Sequence, residues 1–206
     1  MKNKFTNGQE LPVIDHFYTL QGEGYHVGKA AYFIRVGGCD IGCHFCDTKI
    51  SWNADIHQAV KIDDIVANAK KYPAKSVVIT GGEPLLYNLN PLCKKLKNEN
   101  ISTYIETSGS HKLTGIWDWI CLSPKKNQPP LKKIIKLANE LKIIITEESD
   151  FLWAEKYAEL VSKECKLFLQ PEWSIHKTIT TEIVEYIKQN PKWKISIQAH
   201  KFMKIP

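Results

Sequence analysis

The sequence has no apolar run of 18 residues, no internal repeat, no low-complexity tract and no linker that divides it. The first absence excludes a membrane-spanning helix. The others exclude a solenoid or a tandem pair, so the 206 residues read as one domain, 1–206. The first five residues, Met1 to Phe5, lack the continuous apolar stretch of a secretory leader, which makes a cytoplasmic protein the expectation. Acidic charge is the scarcer sign, with 22 Asp and Glu against 28 Lys and Arg, a net charge of +6. The lysine excess recurs in helix-like stretches (Lys94, Lys95, Lys97; Lys132, Lys133, Lys136) and reads as solvated faces. A nucleic-acid groove interleaves aromatics with its basic residues, and none do so here, so neither nucleic acid nor membrane is expected as a partner. Disorder is excluded by an ordinary 43% of hydrophobic residues.

Among six cysteines, three stand close together: Cys39, Cys43 and Cys46, in C-x3-C-x2-C spacing directly after a strand-like run. In a reducing compartment such a group argues for a metal or free thiols rather than disulfides. A structural zinc site closes with four protein ligands, and the nearby fourth donors are His44 and His57. An iron-sulfur cube on three cysteines instead leaves one iron open. Zinc loop, cluster and plain buried thiols all fit the triplet by itself. Cys93, Cys121 and Cys165 are scattered singly and read as core thiols.

Residues 13–20 and 30–36 read as strands, rich in β-branched and aromatic side chains and joined by the turn-like Gln21-Gly22-Glu23-Gly24. Continuous apolar runs follow at 76–80, 103–107, 119–123, 143–146, 167–170 and 195–198. Helical periodicity predicts helices over 62–71, 89–98, 131–141, 151–163 (behind an Asp150 N-cap) and 181–190, with no room for one between Thr107 and Trp119. Continuous apolar strands alternating with helices imply a parallel sheet buried on both faces. Each run ends in a polar residue: Thr80, Thr107, Ser123, Thr146, Gln170, Gln198. Polar side chains recurring at carboxyl ends of parallel strands suggest a ring facing one ligand, and the length suits an incomplete, open parallel β/α barrel.

The motifs carry a resemblance. Cys39 to Cys46, with Phe45 before the last thiol, is similar to the cluster signature of radical S-adenosylmethionine (SAM) enzymes, and Gly81-Gly82-Glu83-Pro84 resembles their GGE element. Phe17 to Gly24, Phe33-Ile34-Arg35, Cys46-Asp47-Thr48, Glu106-Thr107-Ser108-Gly109, Ser123-Pro124-Lys125 and Gln198-Ala199-His200-Lys201 are similar more narrowly to the 7-carboxy-7-deazaguanine synthase family, over nearly the whole chain. The resemblance implies a radical SAM fold and a SAM- and Mg2+-dependent carbon-nitrogen lyase of queuosine or 7-deazapurine biosynthesis. The implied reaction contracts 6-carboxy-5,6,7,8-tetrahydropterin to 7-carboxy-7-deazaguanine with loss of ammonia, taking a hydrogen from C6 and returning it. It also implies a flavodoxin- or ferredoxin-like electron donor and a homodimer.

Site residues follow from the same resemblance. Cys39, Cys43 and Cys46 would ligate a [4Fe-4S] cluster and Thr48 the Mg2+, a hydroxyl oxygen being a hard donor. Phe45, Cys46, Asp47, Gly82, Glu83, Ser123, Pro124, Lys125, Gln170, Pro171, Glu172 and Trp173 would meet SAM. Leu20, Gln21, Gly22, Glu23, Arg35, Thr80 and Pro206 would meet the pterin. Arg35 has a separate physical warrant, since an arginine in an apolar strand needs a partner: a substrate carboxylate, or an internal Glu23 or Glu106. The chain departs from the family at Glu172-Trp173, where a short acidic residue is usual, and at Lys204, where glycine is expected. Phe202, Met203 and Ile205 are too apolar for a solvated tail, so residues 201–206 are expected at the active-site edge, with Pro206 and its carboxylate touching the pterin or the apolar tail simply packing against the barrel mouth. Rival functions are a glycyl-radical activating enzyme, which has no reason to carry Gln21-Gly22-Glu23-Gly24, a zinc-containing RNA-binding module, and a noncatalytic relative, which the intact motifs disfavour.

Overall fold

The computed structural model describes Phe5 and residues 7–206; Met1 to Lys4, which carry most of the leader argument, lie outside the described residues. One nine-stranded sheet runs through the molecule in the order β3-β1-β2-β4-β5-β6-β7-β8-β9. The strands are β1 Glu10–Leu20, β2 Ala30–Val36, β3 Gln58–Lys61, β4 Ser76–Gly81, β5 Ser102–Thr107, β6 Trp119–Leu122, β7 Glu140–Ile145, β8 Lys166–Pro171 and β9 Trp193–Ile195. From β2 onward, with β3 set aside at the far edge, neighbours pair in parallel, while β1 pairs antiparallel with both β2 and β3. The edges β3 and β9 stay apart in this order, so the barrel is open, as expected from length.

Among the described residues there are six α-helices, five in connections between strands and the last after β9: α1 Ile62–Lys70, α2 Asn90–Asn98, α3 Lys132–Leu137, α4 Ser149–Leu160, α5 His176–Gln189 and α6 Ala199–Met203. The face read from the sequence of α1, Ile62, Ile65, Val66 and Ala69, is the face it buries. In β4, Val77, Val78 and Ile79 are each at most 2% exposed, because helices cover one sheet face and a small Ala31, Phe33 and Val78 cluster fills the other. Each such fully buried aliphatic side chain contributes about 1.5–3 kcal/mol. No helix among the described residues is long and apolar enough to cross a membrane.

Several boundaries differ from the sequence reading. The helix predicted over 131–141 stops at Leu137, because Glu140 and Leu141 are taken into the ladder opposite Cys121 and Leu122. Strand β7 therefore starts before residue 143 and carries Lys142 into the sheet. Helix α5 begins at His176 rather than 181: its Thr178, Ile179, Thr180 and Thr181 are weak helix formers, but Ile179 and Ile183 anchor it in the core. Strand β9 occupies Trp193–Ile195 rather than 195–198, held by the buried Trp193 paired with Leu167. Asp150 is no N-cap but sits inside the first turn of α4, where its carboxylate accepts from the amides of Thr146 (2.7 Å) and Glu147 (3.1 Å). The edge strand β3 was missed because its Gln58, Ala59 and Lys61 are exposed, so its hydrogen bonds and not its pattern define it.

Candidate active site

The carboxyl ends of the parallel strands surround an open cavity of about 610 Å³. Of the six polar strand ends, Thr80, Thr107, Ser123, Gln170 and Gln198 line it. Thr146 does not; its hydroxyl donates to Asp150 at 2.7 Å instead, which corrects the expected ring.

The cysteine loop is fastened at its start and closed by a turn at its end. Cys39 N–H donates to Trp52 O (3.3 Å) and Cys46 N–H to Cys43 O (3.2 Å), and the three thiols line the cavity. The glycine pair after β4 explains itself here. A Cβ at Gly82 would lie 2.1 Å from Gly38 O, and one at Gly81 (φ +132°) 2.2 Å from Val36 O. Only glycine lets the β4 turn close on the cysteine loop, through Gly82 N–H to Val36 O (2.9 Å) and Glu83 N–H to Gly38 O (2.8 Å). Glu83 lines the cavity, yet its side chain, 1% exposed, is committed elsewhere. It accepts from Thr107 Oγ1 (2.5 Å), Ser108 N (2.9 Å) and Oγ (2.5 Å), and Leu85 N (3.0 Å), tying the ends of β4 and β5 together.

On the side assigned to the pterin, Leu20, Gln21, Gly22, Glu23, Arg35, Thr80 and Pro206 all line the cavity. Arg35 is half-buried, in register with Thr80 on β4 and Asp15 on β1, and its guanidinium lies 5.9 Å from the Phe17 ring. It has no ion-pair partner among the described residues. The internal salt bridge to Glu23 or Glu106 does not form, because Lys142 pairs with both carboxylates. Lys142, Glu106, Asp15 and His200 also line the cavity and were not assigned from the sequence. Glu106 and His200 sit in motifs that could have flagged them; Lys142 is a lone cation in an apolar run, the same signal that Arg35 gave. Gly22 is required by His200, whose Nδ1 would be 2.2 Å from an added Cβ. Burial pushes the His200 imidazole down.

On the side assigned to SAM, Phe45, Asp47, Ser123, Lys125, Gln170, Pro171, Glu172 and Trp173 line the cavity, and Pro124 does not; it is buried beneath. Lys125 Nζ donates to Ser123 O (2.6 Å) and Oγ (2.7 Å), and burial pushes its ammonium down. The Gln170 side chain accepts from Ser196 Oγ at 2.7 Å. Trp173 stacks on His176 (centroids 4.3 Å, 7°), meets Phe202 edge-on at 5.4 Å, and carries Lys201 Nζ 4.7 Å over its ring. Lys201 Nζ also donates to Asp47 Oδ2 at 2.8 Å, which latches α6 to the cysteine loop. Burial pushes the Asp47 carboxyl up, but the Lys201 bond and charge outweigh it and hold the group below its usual range.

The tail differs from expectation in part. Phe202 and Met203 remain 60% and 46% exposed, so they are not the anchors. Ile205 N–H to His200 O (3.2 Å) and the turn at Lys204 are what bring Pro206 to the cavity. Lys204 takes φ +55°, the left-handed region, which explains why glycine suits that position and costs lysine about 1 kcal/mol.

The donor set fits a cluster with one open iron. Three thiols share the cavity, while Cys93, Cys121 and Cys165 are buried in the core and offer no fourth. No group of three or more His, Cys, Asp or Glu among the described residues is gathered to hold a single ion. For Mg2+, the Thr48 hydroxyl donates its proton to Asp47 Oδ1 (3.0 Å), which leaves its oxygen lone pairs to a hard cation.

Residues 33–136 match the radical SAM superfamily model. The 7-carboxy-7-deazaguanine synthase of Flavobacterium psychrophilum is 54% identical over 199 residues, 97% of this chain and 94% of that protein. The chain belongs to the 7-carboxy-7-deazaguanine synthase family. The synthase of Escherichia coli (strain K12) is 33% identical over 226 residues, covering 95% of this chain and 99% of its own. The crystal structure of QueE from Escherichia coli aligns with a TM-score of 0.84 at 31% identity, over 97% of this chain and 100% of that one. Membership in a radical SAM synthase family brings its cofactors, a [4Fe-4S] cluster, SAM and Mg2+, and replaces the glycyl-radical activating and zinc-module readings.

Proposed function

We propose that the chain converts 6-carboxy-5,6,7,8-tetrahydropterin to 7-carboxy-7-deazaguanine and ammonia, for queuosine or another 7-deazapurine. The observation that carries this reading is that the cysteine triplet and Arg35, a cation with no ion-pair partner among the described residues, open onto one cavity. Cys39, Cys43 and Cys46 hold the cluster, and when bound the cluster and SAM supply the one-electron chemistry that begins the reaction. Phe45, Asp47, Gly82, Ser123, Lys125, Gln170, Pro171, Glu172 and Trp173 form the SAM wall, with Glu83 and the buried Pro124 shaping it from behind. Arg35 takes the substrate carboxylate in its bidentate fork. Leu20, Gln21, Gly22, Glu23, Thr80 and Pro206 bound the ring and keep water from it. A one-electron cofactor needs a one-electron carrier, so the partner is a flavodoxin- or ferredoxin-like donor; the protein acts as a homodimer.

The test is anaerobic incubation of the reconstituted protein with reductant, SAM, Mg2+ and the carboxytetrahydropterin, with the product identified by mass. Intact SAM binding without product would point to another substrate.

Two variants probe the finer assignments. Thr48→Val removes the hydroxyl while keeping the shape; it is expected to lower turnover by about tenfold and to flatten the Mg2+ titration, with cluster absorption intact. An unchanged Mg2+ titration would take Thr48 out of the metal site. Deletion of Ile205-Pro206 is expected to raise KM for the pterin by about tenfold with the cluster spectrum and SAM affinity unchanged. If the truncated enzyme keeps its kcat/KM, the tail does not touch the substrate.

A further inference from the structure

Lys142 lies in β7 between Leu141 and Ile143, both fully buried, and is itself only 4% exposed. This is a costly place for an ammonium, and paired buried charges seldom stabilise a fold better than apolar residues of the same volume would. Its Nζ donates to Glu23 Oε2 and to Glu106 Oε2, the latter at 3.1 Å. The remaining oxygens are held as well: Gln198 Nε2 donates to Glu23 Oε1 at 2.8 Å and Gln21 Nε2 to Glu106 Oε1 at 2.9 Å. The five residues come from four separated places, the β1–β2 turn, β5, β7 and the start of α6, and all five line the cavity.

We propose that Lys142 is a positioning residue for the substrate: by pairing with Glu23 and Glu106 at once, it orients both carboxylates on the cavity wall to receive ring N–H donors. The proposal deepens the pterin reading and rests on it. One ammonium against two carboxylates leaves one net negative charge. Each carboxylate offers about four lone-pair sites, and the bonds named occupy two on each, so acceptors remain for a ligand. An anionic patch rich in acceptors, beside an Arg35 without an ion-pair partner among the described residues, suits a ligand with a carboxylate at one end and a donor-rich heterocycle at the other.

The charge states agree with this role. Burial pushes the Glu23 carboxyl up, but Lys142, aided by Gln198 and His200, outweighs it and brings it down to about 2. Burial likewise pushes the Lys142 ammonium down, and Glu106 and Glu23 outweigh it, holding it well above its usual value. Cys121, Glu140 and Lys125 also face Lys142, and His200 faces Glu23, so their charges enter the same balance. The sign follows. With Lys142 gone, burial is left as the larger influence on Glu23, its pKa rises, and the ionised form is lost at higher pH than before.

Lys142→Met, assayed against Lys142→Arg, tests this. Methionine is expected to raise KM for the pterin by about tenfold or more and to move the acid limb of kcat/KM up by about one pH unit or more, with cluster absorption and SAM affinity unchanged. Arginine, which keeps the charge, is expected to restore the acid limb. Should Lys142→Met fail to fold, Glu106→Gln decides: it keeps the shape and a carbonyl acceptor, and the pterin KM is expected to rise alone. A folded Lys142→Met, or Glu106→Gln in its place, with the wild-type pterin KM and acid limb overturns the proposal. So does loss of cluster, SAM and pterin binding together, which marks a purely structural role. If the wild-type protein does not turn over the pterin, the reaction assignment fails and this proposal with it; turnover by wild type with an unmoved variant overturns the positioning role alone.

Discussion

Alanine at Cys39, Cys43 or Cys46 is expected to abolish both the cluster and turnover, whereas alanine at Cys93, Cys121 or Cys165 is expected to leave activity intact. The two sets differ in what surrounds them. The first three thiols are half-buried and line the cavity; the others are at most 7% exposed inside the core. Burial pushes the Cys93 and Cys165 thiols up to about 12 and Cys121 well above its ordinary value; it pushes Cys39 and Cys43 up as well, so what separates the two sets is access to the cavity. Loss of such a core thiol removes a small apolar contact and costs stability of about 1 kcal/mol. Iron and sulfide analysis of anaerobically reconstituted protein, read beside turnover, checks both halves. Turnover retained by any single variant of the triplet would refute the ligand assignment.

The second large effect is expected at Arg35. Arg35→Met should lower kcat/KM for the pterin about a hundredfold, roughly 3 kcal/mol, the worth of a bidentate charge-assisted pair. The loss should fall mainly on KM and leave SAM affinity untouched, since Arg35 stands with Thr80 and Asp15 on β4 and β1 rather than on the SAM wall. Arg35→Lys should recover only part of it, because an ammonium is a point charge and not a fork. Pterin binding measured by calorimetry on the three proteins distinguishes the cases, and equal affinity for wild type and Arg35→Met would remove the guanidinium from the substrate site.

The sequence by itself determined the barrel class, because strand and helix signals are local; the site residues came from the resemblance of its motifs to a family, and all but one of them line the cavity. A C-x3-C-x2-C spacing places three sulfurs on one loop, continuous runs such as 76–80 identify strands covered on both faces, and five of the six polar strand ends face the cavity, Thr146 turning to Asp150 instead. Pro124 is the exception, turned inward beside two neighbours that reach the cavity. Tertiary structure decided the pairings. Arg35, Lys142, Glu23 and Glu106 are legible as charges in or beside apolar runs, but which cation meets which carboxylate depends on β5 and β7 bringing residues 106 and 142 opposite the turn at 23. The same holds for β3, which has no apolar pattern and exists through its ladder with β1, and for Gly82, which is glycine because Gly38 O occupies the space of its Cβ. Periodicity records how each segment meets water and core, whereas a buried charge is satisfied by whichever partner the packing of distant strands carries within reach.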